Sequence, residues 1–192
     1  AAFYQKSRKA RALPGTDAAA CAALLLARGV DNQLAERFGL GFAPGGNALR
    51  GHLEEQHRQA QTQEGYTEAG PSGGRTMWNG QRHGTLASGS AGRNPVRAIS
   101  MEHAVEAGIL KRGERGDLPF DRFRSRLMIP IHDSVGNVIA FGGRGLTAAA
   151  TPKYLNSAES MVFSKGRTLF AFHLARAAIR KQGEAIVVEG YM

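Results

Sequence analysis

A single carboxylate follows a short apolar run near the last residue of the sequence. Residues 185–188 are Ala, Ile, Val and Val, and Glu189 comes directly after them, before Gly190. Such a run is typical of a strand covered on both faces, and in open parallel sheets ligands bind outside the carboxyl ends of these strands. Glu189 is therefore a candidate metal ligand for phosphoryl transfer. On these residues alone, a solvated glutamate before a turn is the commoner case.

The charge of the chain indicates a polyanionic partner. The sequence has 25 Lys and Arg against 16 Asp and Glu, a formal net charge of +9. Nucleic acid is the leading candidate, and a merely soluble cationic protein is the alternative. Cys21 is the single cysteine, which excludes a disulfide framework and a cysteine-rich zinc cluster. Its isolation predicts a reducing compartment, and we interpret it as an inert packing residue. No apolar stretch approaches the roughly 18 residues of a membrane span.

Two short helices are predicted near the amino terminus. Thr16 and Asp17 provide capping side chains for the first, which ends at Gly29. The second begins after Asp31, places Leu34 and Phe38 on a buried face and ends at Gly39. Residues 41–46 are then predicted as a turn, and residues 48–56 as a further helix.

Residues 57–100 differ in composition from the rest. Gly, Ser, Pro, Gln and Arg replace apolar residues there, and neither helical nor strand periodicity is visible. A packed core needs apolar area to offset the entropy of ordering, so we predict a flexible insert. Its arginines are either nucleic-acid contacts or parts of a solvated linker.

Regular elements return after the insert. Residues 101–110 have helical apolar spacing, and residues 127–131 and 138–141 predict an antiparallel hairpin in which Pro130 marks an edge or a bulge. A helix is predicted over residues 166–182, and the strand before Glu189 follows it.

Three groups of segments together resemble the RNA polymerase domain of bacterial DNA primases of the DnaG type. The first runs from Leu-Ala-Arg-Gly at 26–29 through Arg-Phe-Gly-Leu-Gly-Phe-Ala-Pro-Gly-Gly at 37–46. The second is Asp-Arg-Phe-Arg-Ser-Arg-Leu-Met-Ile-Pro-Ile at 121–131, with Phe-Gly-Gly-Arg at 141–144 and Pro-Lys-Tyr-Leu-Asn-Ser at 152–157. The third is Lys-Gly-Arg at 165–167, followed by Val-Val-Glu-Gly-Tyr-Met at 187–192.

Composition and the resemblance together predict an α+β fold in four parts. Residues 1–56 would form a helical amino-terminal part, and residues 57–100 the flexible insert. Residues 101–182 would form a basic template-binding subdomain with an antiparallel β platform. Residues 183–192 would be the first strand of a truncated topoisomerase/primase (Toprim) metal-binding subdomain.

The resemblance also implies an activity, the synthesis of short RNA primers on single-stranded DNA from ribonucleoside triphosphates. Mg²⁺ or Mn²⁺ would act in the complete domain, and zinc only in a module absent from this chain. The replicative helicase would bind through another absent domain. The location would be cytoplasmic and nucleoid-associated, without membrane contact. We expect the chain alone to be inactive. The alternatives are a non-catalytic single-stranded nucleic-acid-binding module, a degraded primase paralogue, or another enzyme that shares the metal fold.

Site residues follow from the resemblance, position by position. Glu189 would be the catalytic metal ligand, Tyr154 would stack on a base or sugar, and Asn156 would offer a donor and an acceptor. The basic residues that would line the template and nucleotide groove are Arg122, Arg124, Arg144, Lys153 and Lys165. Four histidines without metal-ligand spacing are interpreted as surface or packing residues: His52, His103, His132 and His173.

Overall fold

The structure is a computed structural model that describes residues 1–9, 13, 15–65, 99–114, 117–147 and 150–190. Within these ranges the chain forms six α-helices and six strands. In order they are α1 (Ala2–Lys9), α2 (Asp17–Ala27), α3 (Asn32–Arg37), β1 (Gly41–Ala43), α4 (Ala48–Gly65), α5 (Met101–Glu106), β2 (Leu110–Lys111), β3 (Phe120–Asp121), β4 (Arg126–His132), β5 (Val138–Gly145), β6 (Tyr154–Asn156) and α6 (Phe172–Gln182).

The main sheet has the strand order β1-β4-β5-β6, and every pair is antiparallel. The predicted hairpin is confirmed as β4 and β5, and the α+β class is confirmed with it. The predicted turn at 41–46 is wrong in its first half, because Gly41–Ala43 forms β1. A Cβ at Gly41 would lie 2.6 Å from the Tyr4 Cβ of α1, so only glycine lets β1 pass this close to the helix.

Side chains of β4 alternate between two cores, which explains why the strand reads as a continuous apolar run. Met128 faces a core that includes Leu49 of α4 and Phe123. Leu127 and Ile129 face the opposite core, which contains residues of α2 and α3. Nearly all of β4 is buried as a result.

Pro130 lies where the main sheet narrows. The pairing of β1 with β4 ends at Gly41 and Met128, so no β1 residue lies opposite Pro130. The N–H that proline lacks therefore costs the sheet no hydrogen bond. A register shift between Ile131 and His132 follows directly. The prediction of an edge or bulge is therefore confirmed locally, although β4 is an interior strand.

The two amino-terminal helices form as predicted, with a different buried side. The Ala19 N–H donates to Thr16 Oγ1 at 3.3 Å, and the Leu34 N–H donates to Asp31 Oδ1 at 2.7 Å. However, Ala35 is the buried residue of α3, while Leu34 is 37% exposed. The helix has only six residues, and the small Ala35 faces the α2 core. Helix α1 had no predicted counterpart, because it has only eight residues and neither a capping side chain nor a glycine marks its ends.

Helix α4 is longer than predicted. It continues to Gly65, so residues 57–65 are helical rather than part of a flexible insert. Glutamine, glutamate and arginine are good helix formers, and this propensity extends the helix without apolar periodicity. Residues 66–98 of the predicted insert lie outside the described residues. The next helix, α5, ends at Glu106 instead of Leu110, which belongs to β2.

The last elements differ most from the prediction. Helix α6 begins at Phe172, six residues late, because Ala171 adopts a left-handed backbone with φ of 58°. Residues 185–189 are not a strand, and Ile186, Val187 and Val188 are 91%, 76% and 72% exposed. None of the described strands pairs with this segment, and an isolated strand has no partner for its backbone hydrogen bonds. Among the described residues, no helix is long and apolar enough to cross a membrane.

Candidate nucleic-acid interface

Strands β5 and β6 bring two of the predicted site residues together. Arg144 and Tyr154 are directly paired across the ladder, so their side chains share one face of the main sheet. The Arg144 guanidinium carbon lies 5.8 Å from the Tyr154 ring centroid, within cation–π range. Arg144 is only 6% exposed, whereas Tyr154 is 45% exposed. The arginine therefore supports a ring that remains accessible to a ligand.

Arg122 holds β6 in place. Its Nε and Nη2 both donate to the Asn156 carbonyl oxygen, at 3.1 and 2.8 Å. Burial lowers the pKa of this guanidinium from its ordinary value. Arg122 was predicted to contact phosphate, but the structure engages it in a two-point contact with the backbone. This contact positions Asn156, which is itself half-buried.

Arg126 is a positioning residue that the sequence analysis did not single out. It is buried, and its Nη1 donates to the carbonyl oxygens of Gly143 and Lys153 at 3.3 and 3.4 Å. Burial lowers its pKa as well. Arg122 and Arg126 thus tie both ends of residues 153–156 to the sheet. The sequence signal that could have identified Arg126 is its position as a charged residue at the start of the apolar run of β4.

Space for Arg126 depends on Gly143. A Cβ at Gly143 would lie 2.7 Å from Phe123 Cδ1 and 3.1 Å from Arg126 Cδ, both too close for an unmodified packing. Glycine at position 143 is therefore required by the close approach of Phe123 and Arg126.

Ser157 extends the β5–β6 ladder beyond the end of β6. The Ser157 N–H donates to the Phe141 carbonyl at 2.8 Å, and the Phe141 N–H donates to Ser157 Oγ at 3.1 Å. The serine hydroxyl thus replaces a backbone acceptor at the edge of the sheet, and it fixes the chain as it leaves β6.

Three of the predicted basic residues are exposed: Arg124, Lys153 and Lys165. Arg124 lies 5.0 Å from the ring centroid of Phe120, and its charge remains at the surface. The backbone N–H of Lys165 donates to Glu159 Oε1 at 2.9 Å, which orders the turn that carries its side chain. These three cations are available to neutralise phosphates.

A cavity of about 480 Å³ brings Asn156, Lys165 and Glu189 together. Its walls come from α6, the turn before α6 and residues 185–190, and they are largely apolar. Glu189 itself is exposed. The structure therefore places Glu189 on the same cavity as two of the predicted nucleotide-binding residues, although the segment that carries it is not a strand.

The residues described do not form a metal site. In the part of the chain that the structure describes, no three His, Cys, Asp or Glu side chains lie close enough together to hold an ion. A divalent cation in phosphoryl-transfer enzymes takes several oxygen ligands. Glu189 alone does not meet that requirement.

Comparison with known proteins identifies close relatives. A family model for the amino-terminal domain of the DNA primase catalytic core matches residues 91–176. The chain is 36% identical to a DNA primase of Pseudomonas putida over 170 residues, or 88% of this chain and 19% of the relative. It is 57% identical to a DNA primase of Synechococcus elongatus over 86 residues, or 45% of this chain and 12% of the relative. The chain thus spans less than a fifth of the length of these relatives.

Solved structures agree with these relatives. The RNA polymerase domain of Mycobacterium tuberculosis primase DnaG has a TM-score of 0.69 and 28% identity, covering 99% of this chain and 47% of that chain. A DnaG primase catalytic domain bound to single-stranded DNA has a TM-score of 0.60 and 30% identity, covering 92% of this chain and 42% of that chain. The similarity extends over almost the whole chain.

Proposed function

Because the chain belongs to the DnaG-type DNA primase family, as a part of the catalytic core, we propose that it forms the template-binding part of an enzyme that synthesises RNA primers on single-stranded DNA. The observation that carries this proposal is the pairing of Arg144 with Tyr154 across β5 and β6, where a buried cation supports an accessible aromatic ring.

Exposed cations and a stacking ring are the two components of a single-strand interface. Arg124, Lys153 and Lys165 would neutralise phosphates and release counterions, which provides affinity without sequence preference. Tyr154 would stack on one base, because every base has a π-face. Arg122 and Arg126 would act indirectly, by fixing residues 153–156. One solved relative was in complex with single-stranded DNA, and this supports the assignment.

The catalytic step is proposed for a full-length primase that contains this chain, because the chain spans less than a fifth of the relatives it matches. Glu189 would be one carboxylate ligand of Mg²⁺ or Mn²⁺ in a Toprim subdomain, and the remaining ligands must come from residues other than those described. Lys165 and Asn156 line the same cavity and would contact the incoming ribonucleoside triphosphate. We also propose that the full-length protein binds the replicative helicase and is located at the nucleoid.

The domain boundaries after residues 56, 100 and 182 remain proposals. Helix α4 extends to Gly65, so it crosses the first of these boundaries.

A binding experiment tests the interface. Fluorescence anisotropy with labelled single-stranded DNA, titrated with salt, should give a log–log slope that falls by about 0.7 for each phosphate contact removed. Arg124→Gln with Lys153→Gln should reduce the slope by about 1.4. The matched control is Arg28→Gln with Arg37→Gln, which removes the same charge from exposed sites on the amino-terminal helices. Equal slopes for the two double variants would contradict the interface.

A non-catalytic nucleic-acid-binding module is the second candidate. Primer synthesis from labelled ribonucleotides by the full-length protein distinguishes the two candidates. Loss of synthesis in its Glu189→Gln variant, with DNA binding retained, supports the enzyme. Synthesis that survives Glu189→Gln would remove this residue from catalysis.

A further inference from the structure

Two histidines from distant parts of the chain meet where α6 lies against the β4–β5 hairpin. His132 is the last residue of β4, and His173 is the second residue of α6. Their ring centroids are 4.2 Å apart, with the rings tilted by 40°. Both side chains are half-buried, and His173 Nδ1 is buried without a hydrogen-bond partner among the described residues. Neutral rings pack well at this distance, whereas two imidazolium rings would repel each other.

Helix α6 has few other attachments to the hairpin. It contains no buried residue. The Arg176 Nη1 donates to the Ser134 carbonyl at 2.9 Å, and the His173 ring edge lies 3.8 Å from the position of a Cβ on Gly136. The histidine contact is thus one of the contacts that hold the amino-terminal end of α6 against the hairpin.

We propose that His132 and His173 form an acid-sensitive latch, which docks α6 on the end of the β4–β5 hairpin when both rings are neutral and releases it when they are protonated. The segment 185–190 follows α6 directly, so release would also displace Glu189 from the cavity it shares with Lys165. That consequence rests on the function proposed above, whereas the latch itself does not.

The charged groups around the pair favour release on protonation. Asp133 is the one nearby carboxylate in the described part of the hairpin, and it already accepts hydrogen bonds from the backbone N–H groups of Val135, Gly136 and Asn137. On α6, Arg176 adds a positive charge near the same loop. Burial and then the charge of His173 lower the pKa of His132 from its ordinary value of 6.5, and Asp133 only partly opposes them. Protonation of the pair therefore opposes docking.

Hydrogen exchange measures the latch directly. An isolated helix of this length is marginal in water, so undocked α6 should lose protection. Protection factors of its amides, corrected for intrinsic exchange, should stay constant well above pH 6.5 and fall as the pH is lowered below 6.5, the ordinary pKa of His132, by up to about tenfold for each unit by which docking lowers that pKa. His132→Phe with His173→Phe should remove this pH response. His52→Phe is the matched control, since His52 packs on Phe3 away from α6 and its loss should leave the response intact.

A second measurement covers the case in which the double variant does not fold. In an NMR titration of the His132 ring protons, His173→Gln should raise the midpoint of His132 toward the ordinary histidine value. An unchanged midpoint, or α6 protection in the unmodified chain that does not respond to pH, would overturn the latch. Retention of the pH response by the double phenylalanine variant would overturn it equally.

Discussion

The carboxylate of Asp121 accepts a hydrogen bond from the backbone N–H of Leu49 at 2.8 Å, across a separation of 72 residues. It also accepts one from the Arg50 N–H at 2.9 Å, while Asn47 Oδ1 accepts from the Asp121 N–H at 3.1 Å. A residue of β3 therefore caps the first turn of α4. Burial nevertheless raises the pKa of Asp121, because desolvation outweighs these hydrogen bonds.

Asp121→Ala should lower the free energy of unfolding by about 2–3 kcal/mol, since it leaves two N–H groups at the start of α4 without their acceptor. Chemical denaturation followed by circular dichroism measures this. Asp117→Ala is the control, because Asp117 is exposed and its substitution should change stability by less than about 0.5 kcal/mol. Similar losses in both variants would argue against the cap.

Arg122→Lys keeps the charge and removes the planar fork that grips the Asn156 carbonyl. We expect faster amide exchange in β6 and weaker binding of single-stranded DNA, with the salt slope of binding unchanged. Arg124→Lys is the matched control, and it should leave exchange in β6 as it was. Unchanged amide exchange in β6 for Arg122→Lys would show that the two hydrogen bonds to the Asn156 carbonyl do not hold the strand.

Gly143→Ala should destabilise the fold by about 1–3 kcal/mol through overpacking. The added Cβ would lie 2.7 Å from Phe123 Cδ1, and Phe123 is fully buried. Gly166→Ala is the control, because nothing lies within 4 Å of its Cβ position. Thermal unfolding of the two variants compares them, and equal midpoints would show that the core around Phe123 is loose.

Tyr154→Ala should weaken binding of single-stranded DNA by about 1–3 kcal/mol, the contribution of one stacked base. Tyr154→Phe keeps the ring and should bind nearly as well. Anisotropy titrations at one salt concentration suffice for the comparison. An affinity loss in the phenylalanine variant as large as in the alanine variant would assign the effect to the hydroxyl rather than to stacking.

Cys21 should be unreactive in the folded chain. Burial raises the pKa of its thiol from 9.0 to about 11. An acid with a raised folded pKa stabilises the fold below its unfolded pKa and loses that contribution as pH rises through the folded value. Alkylation by iodoacetamide at neutral pH should therefore be slow without denaturant and fast with it. The stability advantage over Cys21→Ala should shrink between about pH 9 and about pH 11.

The sequence predicted those elements that are stabilised by contacts between residues close together in the chain. Thr16 and Asp31 are side-chain caps that act within one turn, and both helices begin where these residues indicate. The β4–β5 hairpin joins neighbouring segments of the chain, and it too was predictable. Asp121 and Leu49 lie 72 residues apart in the sequence, and the hydrophobic pattern around neither residue predicts their hydrogen bond.

The candidate site divides in the same way. Motif resemblance placed Arg144 and Tyr154 in the site, and the pairing of β5 with β6 brings them together. The resemblance did not distinguish the role of Arg122, which binds the backbone of Asn156, from that of Arg124, which is exposed to solvent. The two residues are of the same type and only two positions apart. The apolar run before Glu189 predicted a strand, but its state depends on a neighbouring strand that no local pattern specifies.

Both edges of the main sheet are very short. The edge strands β1 and β6 have three residues each, and β1 lies against α1. Long, flat edges expose backbone groups that recruit strands from other molecules, and short or covered edges prevent this. The basic platform therefore presents its cations and its aromatic ring on a sheet whose two edge strands offer little backbone for pairing with another molecule.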